Sequence, residues 1–395
     1  MPWSSPKLGA DYDRTREQIA GSPIEGGETA EDSPEVLPPK IADNRTGFEK
    51  FSDWISGKER KRDVAKAREK FALGQEAYDA AVALPQGTER KKKFRQAAKH
   101  FDAAADAWPN SDLEQQARFY QGESLIFCDE VPEAEKAFRD LVGSHPRTRF
   151  MSLVQARRFE IARYWLARGE NIPSWEFVNL TDETRPWVGT RNSGMSLLDK
   201  MRFDDATGKL ADDASMELAR QSFLRGDYER ADEVFADLRQ AYPDSPHQFL
   251  AHLLGLRSKL ETYQGPAYNG DVLHRAEDLL RQTERKFPNE VKQDEYRELI
   301  ARANAEIRFR QAERLIYQGR YRQRKGENGA ARFYYEDLLA KYSDTPLADE
   351  AKARLATIEG RPMLPPQRLA WLAEMFPEGD RAKPLVTANG ETLMR

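Results

Sequence analysis

The residues that could do chemistry are few, and their spacing gives them little company. The five histidines are His100, His145, His247, His252 and His274. None forms a His-Glu-x-x-His array, which would set two imidazoles on one helix face for zinc. Cys128 is the single cysteine, so neither a thiolate metal cage nor an intrachain disulfide can form. It closes the apolar run Leu125-Ile126-Phe127-Cys128, which predicts a packed thiol rather than a reactive one. Gly189-Thr190-Arg191-Asn192-Ser193-Gly194-Met195-Ser196 has the outline of a phosphate-binding loop. Met195, however, stands where the essential lysine belongs, and no strand precedes it. There is no Gly-x-Ser-x-Gly elbow and no dinucleotide fingerprint. Carboxylates are abundant, but on helices of mixed charge they read as a solvated face. The residues propose no enzyme, no metal and no cofactor.

Charge narrows the partners. The net charge is -4, and residues 1–47, with nine acids and five bases, carry all of it. The neutral remainder argues against a nucleic-acid surface. Arg90-Lys91-Lys92-Lys93 and Arg320-Tyr321-Arg322-Gln323-Arg324-Lys325 are the densest basic runs. They read either as solvated helix ends or as landing sites for an acidic partner; Tyr317 and Tyr321 beside the second run give it hot-spot composition. No apolar run is long enough to span a bilayer. Met1-Pro2-Trp3-Ser4-Ser5-Pro6 has no basic or apolar leader region, so no signal peptide is visible. The expectation is a cytoplasmic protein, or one whose leader is missing from this chain.

The elements that would position these residues are written in a phrase that recurs five times. It runs Ala97, Phe101, Ala104, Trp108-Pro109; then Ala134, Phe138, Leu141, His145-Pro146; then Ala231, Phe235, Leu238, Tyr242-Pro243. Ala276, Leu280, Thr283, Phe287-Pro288 and Ala331, Tyr335, Leu338, Tyr342-Ser343 complete the set. Steps of four, three and four place the side chains on one helix face, and the proline stops the helix. Gly122, Ala219 and Gly319 stand twelve residues before the phrase alanine in three copies, predicting a preceding helix that packs closely. Leu73-Gly74 and Leu254-Gly255 serve the two copies with longer turns. Gly226-Asp227-Tyr228 and Gly326-Glu327-Asn328 read as hairpin turns, and Ser111 and Thr345 as N-caps. A degenerate pair, Ser152–Arg168 and Ser193–Phe203, brings the count to about six hairpins. Such self-similarity predicts an all-α helical-hairpin solenoid.

The organisation follows. Residues 1–47, rich in Pro, Gly and acids, read as a disordered tail, and the solenoid as residues 48–360. Phe48, Phe51, Trp54 and Ile55 form a short apolar stripe, read as a first docking helix in preference to an interfacial membrane helix. Residues 171–192 are an insertion with Trp175, Phe177 and Trp187, packed either on the solenoid or on a partner, the former being favoured. Residues 361–395 read as a cap helix, Gln367–Phe376, followed by a frayed tail. Helical phase assigns Phe119, Glu123, Ile126, Met216, Arg220, Phe223, Ile316, Arg320 and Gln323 to a concave partner-binding face. Tyr317, Arg320, Tyr321 and Arg324 form a second candidate contact.

Leu218-Ala219, Gly226, Tyr228, Ala231, Phe235, Leu238 and Pro243 resemble the tetratricopeptide repeat pattern in order. Tyr242-Pro243-Asp244-Ser245 and Tyr342-Ser343-Asp344-Thr345-Pro346 further resemble the outer-membrane protein assembly lipoprotein family (BamD-like). That resemblance implies a non-catalytic scaffold on the periplasmic side of the outer membrane. Its partners would be the β-barrel assembly machinery or extended peptide segments, with peripheral membrane association and no transmembrane segment. A general tetratricopeptide adaptor of another envelope or cytosolic complex is the alternative. The chain lacks the family's lipid-attached cysteine, since Cys128 is internal, and the 171–192 insertion and acidic tail exceed what a minimal member needs.

Overall fold

A computed structural model of the chain describes residues 62–170 and 178–365. The expected tail at 1–47, the Phe48–Ile55 stripe, Trp175, Phe177 and the Gln367–Phe376 cap lie outside the described residues. Those described form thirteen α-helices and no strand. They are α1 (Val64–Val82), α2 (Thr88–Ala107), α3 (Asp112–Phe127), α4 (Val131–Ser144), α5 (Met151–Glu170), α6 (Thr190–Asp204) and α7 (Ala211–Leu224). Then come α8 (Tyr228–Ala241), α9 (Gln248–Glu261), α10 (Asp271–Lys286), α11 (Asp294–Arg324), α12 (Asn328–Lys341) and α13 (Leu347–Ile358). The fold is the expected all-α helical-hairpin solenoid. Two compact units share it, one through Gly255 and one from Leu256, with the boundary inside α9.

In the first unit α1/α2, α3/α4, α5/α6 and α7/α8 pack as hairpins. The phrase residues are their hydrophobic stripe. Phe101, Phe138 and Phe235 are fully buried, as are Ala97, Ala134 and Ala231. Close approach depends on the small residues opposite. A Cβ added at Gly74 would sit 2.7 Å from the Phe101 ring, and one at Gly122 would overlap Phe138. Phe71 packs edge-on against Phe101 at 5.4 Å within the first hairpin, and successive hairpins are joined by Phe101 on Tyr120 at 5.6 Å and Phe119 stacked on Phe150 at 4.7 Å. Each such pair adds about 0.5–1.5 kcal/mol beyond its buried area.

Of the two residues expected as N-caps, one caps its helix. The Ser111 hydroxyl accepts from Glu114 N–H at 3.0 Å and caps α3. Gly226 and Gly326 turn their hairpins at φ +77 and +78, values a Cβ disfavours. The closing residue of the phrase donates the last helical hydrogen bond to the residue four before it, as in His145 to Leu141 O and Tyr242 to Leu238 O. Thr345 departs from expectation. Its hydroxyl donates to Tyr342 O at 2.8 Å, and Pro346 takes the cap position of α13 without a side-chain bond.

The second unit is built on α11, which at 31 residues is about twice as long as its neighbours. α11 and α12 pack as a hairpin, with α10 on α11 and α13 against both α11 and α12. Ala312, Ile316, Ala331, Tyr335, Leu338, Ala348, Ala351 and Ile358 form one of its core clusters.

Polar clips fasten a hairpin's first helix, near its start in α3 and α7 and at mid-length in α11, to the turn that leaves its second. His145 Nε2 lies 3.0 Å from Glu114, His247 Nε2 2.7 Å from Asp213, and Arg308 grips Asp344 with both nitrogens. Two of the five histidines thus have structural work at turns.

Candidate partner-binding surfaces

Helical phase placed the partner face on the first helix of each hairpin, and burial corrects it. Phe119 is 9% exposed and stacked on Phe150, while Glu123 is 3% exposed and held by Arg157 Nε at 2.8 Å. Ile126, Met216 and Ile316 are buried as well. Phe119 and Glu123 meet the next hairpin through Phe150 and Arg157, because a helix in a stack has neighbours on two sides and little free surface remains. Burial pushes the Glu123 carboxyl upward, and the bidentate Arg157 guanidinium opposes that.

Arg220 and Phe223 remain partly accessible on α7. Arg220 makes a bidentate pair with Glu217, and Phe223 meets Tyr228 edge-to-face at 5.4 Å. In the second unit Arg320 is committed: its guanidinium grips Glu350 of α13 through two nitrogens. That hydrogen bond holds the Glu350 carboxyl below the usual carboxylate range. Tyr317 is half-buried, whereas Arg324 and Tyr321 are exposed. Lys325 Nζ sits 4.6 Å over the Tyr321 ring, with Arg322 at 5.8 Å. The cluster expected at the end of α11 therefore reduces to Tyr321, Arg324 and Lys325. The other basic run is paired in part, Lys91 with Asp129 at 2.5 Å and Lys92 with Glu89 at 2.7 Å.

The insertion holds the largest surprise. Of its described residues, 178–189 form a loop knotted by two side chains and the rest begin α6. Asn179 Nδ2 donates to Asp182 O at 2.6 Å and Arg185 O at 2.9 Å, while Asn179 Oδ1 accepts from Asp182 N–H at 3.0 Å. Asp182 accepts from Thr184 N–H at 3.0 Å and Arg185 Nε at 2.9 Å. Burial disfavours its charge, yet the bonds from Thr184 and Arg185 prevail and hold its carboxyl below the usual range. Trp165 Nε1, donating to Thr184 O at 2.9 Å, and Tyr164, bonded to the Thr184 hydroxyl at 2.7 Å, pin the knot to α5. Its apolar side chains point away: Leu180 is 80% exposed, Trp187 70% and Val188 57%. Trp187 does not pack on the solenoid, which corrects the favoured reading for this ring. The signal lay in Asn179-x-x-Asp182, the residue types that hydrogen-bond their own backbone in turns.

Among the described residues, no three His, Cys, Asp or Glu groups converge to hold a metal ion. A cleft at Gln155, Met201 and Leu210 encloses about 200 Å³, less than ligand pockets of roughly 300 Å³ or more. Gly189 to Ser196 is the start of α6, and Met195 Sδ contacts Arg225 Nη1 at 3.1 Å. No described helix is long and apolar enough to cross a membrane.

Residues 213–245, which cover most of α7, all of α8 and the turn after it, match the tetratricopeptide repeat family. This chain carries a tetratricopeptide repeat. Within the tetratricopeptide repeat, Ala219, Ala231, Phe235 and Leu238 are fully buried between the two helices and their neighbours. No curated protein matches the chain.

Proposed function

We propose that this protein is a non-catalytic scaffold that binds protein partners in the assembly of outer-membrane β-barrels, on the periplasmic side of that membrane. The tetratricopeptide repeat at 213–245 carries the reading, since helical-hairpin repeats present rigid surfaces to partner segments. The resemblance of Tyr242-Pro243-Asp244-Ser245 and the Tyr342–Pro346 closing phrase to the assembly lipoprotein family supports the more specific part. Arg220 and Phe223 on α7, and Tyr321 and Arg324 on α11 with the half-buried Tyr317 one turn earlier, supply aromatic and basic contacts; Arg320 supports them through Glu350. Phe119 and Glu123 act from inside the stack by holding its shape.

The test is cross-linking in envelope preparations of the native host, with identification of the captured proteins. Subunits of the β-barrel assembly machinery are expected, with loss of capture in Tyr321→Ala combined with Arg324→Glu. Arg320 is avoided because a glutamate there would face Glu350 and disturb the fold. Depletion of the protein should lower β-barrel levels in the outer membrane. The 178–189 loop favours a second reading, a general adaptor of another complex, because a minimal assembly scaffold does not need it. Consistent capture of a different complex, with β-barrel levels unchanged, would establish that adaptor and dismiss the assembly role.

A further inference from the structure

We propose that the chain following Pro365 returns to its own solenoid, laying residues 371–380 over Tyr321, Arg324 and Lys325 at the end of α11. This patch also serves the proposed partner contact. The self-contact is tested without a partner, so either can fail alone.

The course of the chain selects this occupant. After α13 it crosses the start of α12, where Asn328 Nδ2 donates to Pro362 O at 2.8 Å and Gly329 N–H donates to Met363 O at 3.0 Å. It then reaches the turn between α11 and α12. A Cβ added at Gly329 would meet Met363 at 3.3 Å, and one at Gly326 would meet Pro365 at 3.4 Å. Pro365 therefore lies beside the residue that follows Lys325. Tyr321 stands five residues before Gly326, about 7 Å along the helix axis. The six residues from Pro365 to Trp371 can span up to about 20 Å. Attachment at that range gives the segment an effective concentration on the order of millimolar, an advantage that a separate partner lacks.

The patch has charge left to be met. Arg320 and Arg322 are spent on Glu350 and Glu327. Arg324 and Lys325 are exposed and form no ion pair among the described residues. Lys325 instead holds its ammonium 4.6 Å over the Tyr321 ring, which is itself 37% exposed.

The segment has the complementary composition. Residues 371–380 carry Glu374, Glu378 and Asp380, no base, and the rings of Trp371 and Phe376; Arg368 and Arg381 stand outside on either side. The acids answer Arg324 and Lys325. Exposed ion pairs alone contribute little, so the rings carry part of the contact by offering further faces to the same cations. A partner that uses Tyr321 and Arg324 must displace the segment, and its apparent affinity is reduced to the uncovered fraction of chains.

Zero-length carbodiimide coupling of the full chain, followed by peptide mapping, tests the proposal, because it joins an ammonium to a carboxylate only where the two touch. An amide between Lys325 Nζ and Glu374, Glu378 or Asp380 is expected. In a mixture of isotope-labelled and unlabelled chains it should join residues of one chain. Molar salt, which shortens screening to about 3 Å, should lower the yield. Trp371→Ala/Phe376→Ala keeps every acid and should lower the yield roughly fivefold or more, as loss of aromatic anchors does. Tyr321→Ala should act in the same direction. Absence of any amide from Lys325 to these acids overturns the proposal. An equal yield in the Trp371/Phe376 variant also overturns it, because a merely tethered chain would couple by chance encounter. Amides found only between labelled and unlabelled chains assign the patch to a second copy and dismiss the self-contact.

Discussion

The Tyr335 ring occupies the space that a Cβ on Gly319 would need, and its hydroxyl continues past that glycine to donate to Gln323 at 2.9 Å. The same pairing recurs between Gly122 and Phe138 and between Gly74 and Phe101. Glycine in a helix interior normally costs about 1 kcal/mol relative to alanine. Three helices of this chain accept that cost because the ring of the second helix seats directly on the backbone of the first.

Gly319→Ala should therefore destabilise the second unit, despite the improved helix propensity. Overpacking of about 1–3 kcal/mol is the expected penalty. A urea titration followed by circular dichroism reads it as a lowered midpoint. Adding Tyr335→Leu should recover part of the loss, since the smaller side chain vacates the contested space. Independent, additive effects of the two substitutions would contradict the ring-on-glycine contact.

Phe235 holds the equivalent place in the tetratricopeptide repeat and is fully buried. Phe235→Ala should cost about 3–5 kcal/mol through lost burial and the cavity left behind. Hydrogen exchange should show α7 and α8 losing protection before α1 and α2, because a repeat chiefly stabilises its neighbours. An unaltered denaturation midpoint would remove Phe235 from the core.

Arg158 on α5 is fully buried, with Asp204 of α6 at 2.6 Å and Glu135 of α4 at 3.8 Å. It ties three helices together, but its Nε and Nη2 lack hydrogen-bond partners. Truncation empties a fully buried volume and leaves Glu135, 9% exposed, with one charge partner fewer, so Arg158→Ala should cost about 2–5 kcal/mol. Arg158→Met, which refills the volume, should cost less. The difference between the two variants in thermal midpoint separates packing from charge.

Burial pushes the Cys128 thiol up to about 12, and its Sγ donates to Leu125 O at 3.4 Å. The unfolded thiol titrates near 8.5, so its folded pKa is the higher of the two. The stability this supplies is complete below about 8.5 and is lost as pH rises toward about 12, at about 1.4 kcal/mol per unit. Wild-type protein should lose stability faster than Cys128→Ala between pH 9 and 10.5 (roughly, the accessible alkaline window). A thiol-directed reagent should leave the native chain unmodified and label it once unfolded. Rapid native labelling would contradict the packed thiol.

The hairpins were legible because a helix face is a one-dimensional pattern. Ala231, Phe235 and Leu238 lie four and three residues apart, and any helix built from them buries one stripe. Gly226 and Gly326 announced their turns for the same local reason, a backbone angle that a Cβ resists. The partner face was less legible. Phe119 and Arg220 both belong to first helices, yet one is buried and the other half-exposed, since exposure depends on the neighbouring hairpin rather than on phase.

Thr345 shows the limit at shorter range. Its type suits a cap, but Pro346 begins the helix and the hydroxyl turns back to Tyr342. Arg320 shows it at longer range: nothing near it in sequence indicates that Glu350, thirty residues on, will claim the guanidinium.

The sequence by itself determined the repeating helices, their turns and the small-to-large pairing, all of which are set by contacts within one hairpin. The tertiary structure alone decided which charges are spent on internal pairs and which rings meet solvent. Trp187 makes the difference plain: its exposure depends on how Asn179, Asp182, Tyr164 and Trp165 hold the loop on α5, and hydrogen bonds between distant residues leave no period in the chain.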